Sequence, residues 1–199
     1  MRNIKILIIC CLILAIIIVA YFVKLNNDVV EATQIPVATT GLDENPEISD
    51  EEVLEIYNQA LKIFHWFQVG TMSPNINSSV VIDNQTYYEI AGELTTYQQL
   101  VDLMKTVLDD AIVEQLLSTN IYIDYNGKLY GLWGDRGTDE FKGQETFEIV
   151  REDNHRIICK VEVEIIDNNS DVIDHEIHEF HLKYFPDGKW RFESFYLFK

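Results

Sequence analysis

Cations are scarce in this 199-residue chain: 15 Lys and Arg stand against 33 Asp and Glu, a formal net charge of −18. Arg2, Lys5 and Lys24 precede the first acid, so the remainder is more acidic still. A field of that sign repels nucleic acid and anionic lipid, which argues against a nucleic-acid partner, and it attracts basic ones. Cysteine is nearly absent. Cys10 and Cys11 fall in an apolar run and leave Cys159 alone in the rest, so no disulfide can form there. Cys159 holds an inward position of a strand pattern and reads as a small buried hydrophobe rather than a nucleophile. Catalytic signatures are missing as well. The chain has no GxSxG elbow, no P-loop, no dinucleotide glycine fingerprint and no Ser-His-Asp or Cys-His arrangement. Carboxylates abound, but no pair stands apart as a glycosidase couple. The reading is of a protein that is not an enzyme and uses no cofactor or metal.

What is present begins with Ile6–Val23, an unbroken apolar and aromatic run behind Arg2 and Lys5. At about 1.5 Å per residue it spans roughly 27 Å, close to the hydrocarbon thickness of a bilayer. The basic flank predicts an N-terminus inside and the remainder outside the cell membrane. The run serves as a signal-anchor, or as a signal peptide cleaved near Val30-Glu31-Ala32. Residues 1–24 are therefore a membrane segment, and residues 25–48, with Pro36, Pro46 and few large apolar side chains, a flexible acidic stalk. Residues 49–199 form a single extracytoplasmic domain.

The domain opens with a capping box, Ser49 followed by Glu52. Val53, Tyr57, Ala60, Leu61, Phe64 and Phe67 recur at helical spacing until Gly70, placed as the left-handed residue that ends the helix. Ser79–Asp83 and Thr86–Ala91 make a hairpin around Asp83-Asn84-Gln85. Thr96 with Gln99 is a second capping box, and Asp109 is placed as the side-chain cap of a short third helix. Tyr125-Asn126-Gly127-Lys128 is a two-residue hairpin signal, since both central positions of a type I′ turn need positive φ. The rest alternates like half-solvated antiparallel strands, including Ile157–Ile165, Val172–Phe185 and Trp190–Phe198. The fold class is α+β, with N-terminal helices packed on a bent antiparallel β-sheet meander.

Two features carry chemistry. His175, His178 and His181 suggest a metal, but on a regular strand His178 points away from the other two; a bulge between Ile177 and Phe180 would be needed to re-aim one. The loop Gly131–Phe141 is the stronger feature. Three glycines allow tight backbone, Trp133 sits at its tip, and Asp135, Asp139 and Glu140 place negative charge beside it. An aromatic anchor with charged neighbours is a recipe for protein recognition. The plain alternative is a surface loop whose Trp folds back on the sheet.

From Ser49 onward the chain resembles the bacterial DL-endopeptidase inhibitor (IseA) family. The resemblance rests on the first helix ending in an aromatic-Gly stretch, Tyr87-Tyr88-Glu89, Glu93-Leu94-Thr95-Thr96 leading to Leu100, Asp109-Asp110-Ala111, Tyr125–Tyr130 and Gly188-Lys189-Trp190-Arg191-Phe192. It implies an inhibitor of cell-wall cysteine peptidases that cut the D-glutamyl–diaminopimelate linkage of peptidoglycan. It also implies that an acidic loop blocks their positively charged catalytic groove, here through Asp135, Asp139 and Glu140 with Trp133 beside them. The chain departs from the family pattern in its apolar N-terminal run and in Gly134-Asp135-Arg136-Gly137, where an Asp-rich turn is expected. Two other classes stay open: a cone-shaped small-ligand domain, with Tyr87, Trp190, Phe192 and Tyr196 lining a cavity, and a structural module of a cell-envelope complex.

Overall fold

Helix α1 (Asp50–Gln68) starts where the sequence places it. The Ser49 hydroxyl accepts from the Glu52 amide at 3.2 Å, and the Glu52 carboxylate accepts from the Ser49 amide at 2.8 Å. Two orphan amides are satisfied at once, which stabilises the helix start by about 1 kcal/mol. These observations come from a computed structural model that describes residues 47–198. The apolar run Ile6–Val23 and residues 25–46 of the stalk lie outside the described residues. Among those described, no helix is long and apolar enough to cross a membrane.

Val53, Tyr57, Ala60, Ile63, Phe64 and Phe67 form the buried stripe of α1. The helix ends where expected, with Val69 at the C-cap and Gly70 next, but in a different conformation. Gly70 does not take a positive φ; the Val69 and Gly70 amides both donate to His65 O, at 2.9 and 3.0 Å, and Gly70 goes on to bridge Asp135. Tertiary pairing thus replaces the expected left-handed turn.

Helix α2 (Tyr97–Val107) has its second capping box, with Thr96 and Gln99 bonded reciprocally at 3.2 and 3.0 Å. Helix α3 (Asp110–Leu117) follows. Asp109 occupies its N-cap position, but its side chain makes no capping bond. Its amide donates to Phe192 O at 3.0 Å, next to a parallel bridge between Leu108 and Phe192. Attachment to the C-terminal strand, rather than a side-chain cap, fixes this junction.

The strands fall into two antiparallel four-stranded sheets. The first contains β1 (Pro74–Ile82), β2 (Gln85–Ile90), β3 (Tyr122–Tyr125) and β4 (Lys128–Leu132), in the order β1-β2-β4-β3. Both of its hairpins turn on two residues of positive φ, Asp83 and Asn84 at 48° and 64°, and Asn126 and Gly127 at 54° and 76°. The second is a meander of β5 (Lys142–Asp153), β6 (Arg156–Ile166), β7 (Val172–Tyr184) and β8 (Trp190–Phe192).

The last strand is shorter than its alternating aromatics suggest. After Phe192 the chain leaves the sheet and crosses its inner face, where Phe195 meets Phe64, Tyr57 and Phe180 with centroids 5.0, 5.6 and 4.6 Å apart. Cys159, Val161 and Val163 of β6 and Phe180 and Leu182 of β7 face the helices and are fully or almost fully buried. Each large side chain removed from water there contributes about 1.5–3 kcal/mol.

No bulge forms between Ile177 and Phe180. The β6–β7 register runs unbroken from Arg156↔Lys183 to Ile165↔Asp174. The cost of that regularity is an exposed Ile177, 66 % accessible on the outer face.

Candidate functional site: the loop between β4 and β5

The loop is held at its base. Leaving β4, the Gly134 amide donates to Thr71 Oγ1 at 3.2 Å, and Gly134 O accepts from the Thr71 amide at 3.3 Å. Asp135 pairs with Gly70, and the Arg136 amide donates to Val69 O at 2.6 Å. The segment just past α1 is thus the seat of the loop. That seat is itself fixed by Tyr122 of β3, which is 1 % exposed. Its hydroxyl accepts from the Met72 amide at 2.8 Å and donates to Trp66 O at 3.2 Å. Burial pushes the Tyr122 phenol well above its usual pKa, opposed in part by the Met72 bond, so it stays a neutral bridge.

Trp133 is 60 % exposed. Its ring meets Tyr88 edge-on, centroids 5.9 Å apart, and does not fold into the core. Asp135 Oδ1 accepts from the Gly137 amide at 2.9 Å, and Asp139 Oδ1 from the Phe141 amide at 3.0 Å. Both are local turns of the Asx kind, and Gly137 leaves the first with a φ of +79°, which glycine adopts without strain. Asp135, Asp139 and Glu140 are all exposed, and none makes an ion pair among the described residues. Glu89 on the neighbouring strand differs: Lys128 and then Ser78 hold its carboxyl below the usual range. The loop acids have no such cation bonded to them among the described residues.

At the far end, Phe141 O accepts from the Ile166 amide at 2.9 Å, and Lys142 opens β5. The Lys142 ammonium is bonded to Glu176, whose second neighbour is His178 Nε2 at 2.8 Å. Lys142 first and His178 second hold the Glu176 carboxyl below the usual range. The His178 ring stacks on Phe198, centroids 4.2 Å apart, and its Nδ1 lies 2.9 Å from Tyr196 OH. His175 and His181 sit on the opposite, exposed face. The three histidines are therefore not brought together, and no group of three or more His, Cys, Asp or Glu among the described residues could hold a metal.

The four residues singled out from the sequence share one loop. Thr71, Val69, Tyr122 and Tyr88, which seat it, were not singled out. Their only sequence signal is the aromatic-Gly stretch that ends α1 and the tyrosine-rich alternation of β2 and β3.

Fold and loop together define a two-sheet α+β domain that presents an acidic, Trp-bearing loop on a fixed base. The family model of the IseA DL-endopeptidase inhibitors matches residues 44–196, and the chain belongs to that family. Membership makes it a DL-endopeptidase inhibitor by class, with a peptidase as the partner that class implies. No curated protein matches the sequence at a significant level.

Proposed function

We propose that this protein acts outside the cytoplasm, tethered by residues 6–23 or secreted after cleavage, as an inhibitor of peptidoglycan DL-endopeptidases. It is not itself an enzyme, and it blocks a basic catalytic groove with the loop carrying Trp133, Asp135, Asp139 and Glu140. The observation that carries this reading is a Trp 60 % exposed beside three unpaired carboxylates, on a loop bonded to the end of α1. Trp133 enters the groove as an apolar anchor, and the carboxylates meet its cations. Because the base is already ordered, little conformational entropy is lost on binding. The chain's formal charge of −18 speeds encounter with a basic partner and makes it salt-dependent.

The small-ligand alternative draws on a different place. A cleft of about 820 Å³ between α1, α2 and the first sheet is lined by Lys62, Ile63, Trp66, Met72, Ile90 and Leu103 among others. Tyr87, Trp190, Phe192 and Tyr196 do not line it; Tyr87 and Phe192 are packed at 4 % and 0 % exposure. Trp190 is partly buried against the core and Tyr196 is 45 % exposed, so the four do not converge on one cavity.

The test is peptidoglycan hydrolysis by a DL-endopeptidase with increasing amounts of the full chain in detergent micelles. Dose-dependent inhibition supports the reading. An unchanged rate across several such enzymes would sink it and direct attention to the cleft.

A further inference from the structure

Strand β7 is only half covered on its outer side. Strand β8 pairs with Leu182, Lys183 and Tyr184 alone. The Glu193 amide then donates to His181 O at 2.9 Å, and there the coverage ends. That bond sets which backbone groups face outward: His181 does, and Tyr184, whose amide donates to His155 O at 2.8 Å, faces β6. Because the β6–β7 register is unbroken to Asp174, the alternation carries through, and His175, Ile177 and Glu179 also face outward. His175 has its amide taken by Asp174 Oδ1 at 2.8 Å. The amides and carbonyls of Ile177 and Glu179 and the carbonyl of His175 have no strand beside them among the described residues.

Such a row of unmet donors and acceptors is a template for strand addition. Its side chains say what fits. Ile173 and Ile177, 65 % and 66 % exposed, stand on the outer face about 13 Å apart at strand rise. Around them lie Asp171 in the approach to β7, Glu179 of β7, and Glu162 and Glu164 of β6. Glu176 faces the other side and is already engaged by Lys142. The nearest cation on the outer face, Lys160, is shared between Glu148 and Glu179 at 3.8 and 3.7 Å. An added strand must therefore bring apolar groups for the two isoleucines and positive charge between them. The edge is also close to the acidic loop. Lys142, the first residue after the loop, lies on the rung Lys142–Ile165–Asp174, two strand spacings or about 10 Å from β7. The C-terminal end of the loop thus stands near the edge.

We propose that the free edge at His175–Glu179 binds an extended segment of the same peptidase, one that alternates apolar and basic residues, by antiparallel or parallel strand addition. This rests on the inhibitor reading above for the identity of the partner, though the edge itself does not.

The test uses a fluorescent octapeptide alternating Lys and Val, capped at both ends, with the full chain in micelles. Anisotropy should show saturable binding that weakens with salt, and hydrogen exchange should show new protection at residues 175–179. An octapeptide alternating Glu and Val should not bind. Ile177→Pro removes an outward amide, which an edge strand tolerates, together with the Ile177 side chain, and should weaken peptide binding at least tenfold. Glu179→Lys, a surface change, should weaken it severalfold and guards against a Pro variant that fails to fold. In the hydrolysis assay both variants should lose inhibitory potency. Failure of the Lys-Val peptide to bind, protection elsewhere, or equal binding of the Glu-Val peptide overturns the proposal, as does sedimentation showing the edge filled by a second copy. If the edge variants inhibit at full potency while loop variants do not, the edge fails and the loop stands. If the wild type inhibits nothing, the inhibitor reading fails while the peptide result still decides the edge.

Discussion

Tyr122→Phe removes one oxygen atom from beneath the acidic loop. The ring keeps its edge-on contact with Phe67, centroids 5.0 Å apart, so no large cavity opens. What is lost is the acceptor for the Met72 amide and the donor to Trp66 O. Leaving a sequestered donor unmet costs about 1–3 kcal/mol, and the ring's burial keeps water from replacing the hydroxyl. A loss of about 2 kcal/mol should lower Tm by roughly 4–8 °C for a domain of this size. The effect should be local as well as global. Thermal unfolding followed by circular dichroism reads the first, and hydrogen exchange reads the second, through the Thr71 and Arg136 amides that close the loop base. Tyr87→Phe is the control. Its hydroxyl bonds Gln85 Oε1 and Asn120 O, each at 3.1 Å, and not the loop seat. A Tm drop below about 1 °C for Tyr122→Phe would refute the reasoning. So would a full drop without faster exchange at Thr71 and Arg136.

Other outcomes follow from the same packing. Gly131→Ala would place a Cβ 2.9 Å from Ile90 Cδ1 and 3.0 Å from Tyr122 Cε1, between two buried side chains, and should destabilise the domain by about 1–3 kcal/mol in urea titration. Cys159 is fully buried, with burial first and Glu145 second pushing its thiol up to about 12; it should resist a thiol reagent at neutral pH and react only on unfolding. Glu176 has a folded pKa below its unfolded value, held there by Lys142 and then His178. Its contribution is therefore complete above the usual carboxylate range and is lost as pH falls through the lower folded value. Acid titration of stability should show that loss reduced in Glu176→Gln.

Much of this fold was legible in local sequence. Both capping boxes and the Asn126-Gly127 turn depend on residues within a few positions of one another, and each formed as read. The buried stripe of α1 follows from period alone, apart from Leu61, which is half-buried while Ile63 takes the deeper place. What local pattern could not supply was long-range pairing. Asp109 has a good capping side chain, yet the segment is bonded to Phe192, more than eighty residues on, and the cap bond is absent. Gly70 looked like a helix stop, and its role is set by Asp135 across the loop. The apolar phase change at Ile177 suggested a bulge because an exposed isoleucine was not anticipated. A regular ladder with an open edge is the arrangement that leaves it exposed. The loop residues were visible from composition, but their seat was not. Tyr122 bonds Trp66 and Met72 at separations of 56 and 50 residues, which no periodicity encodes.

The most direct measurement of the central claim compares the wild type with a variant carrying Asp135→Asn, Asp139→Asn and Glu140→Gln, as inhibitors of a DL-endopeptidase on peptidoglycan. The substitutions keep shape and the local turn acceptors while removing charge that no ion pair among the described residues engages. At low salt the variant should need about tenfold more protein for half-inhibition. At about 1 M salt, where the Debye length is about 3 Å, the two curves should draw together. Equal potency of variant and wild type at both salt concentrations would contradict the account and leave the loop without its assigned role.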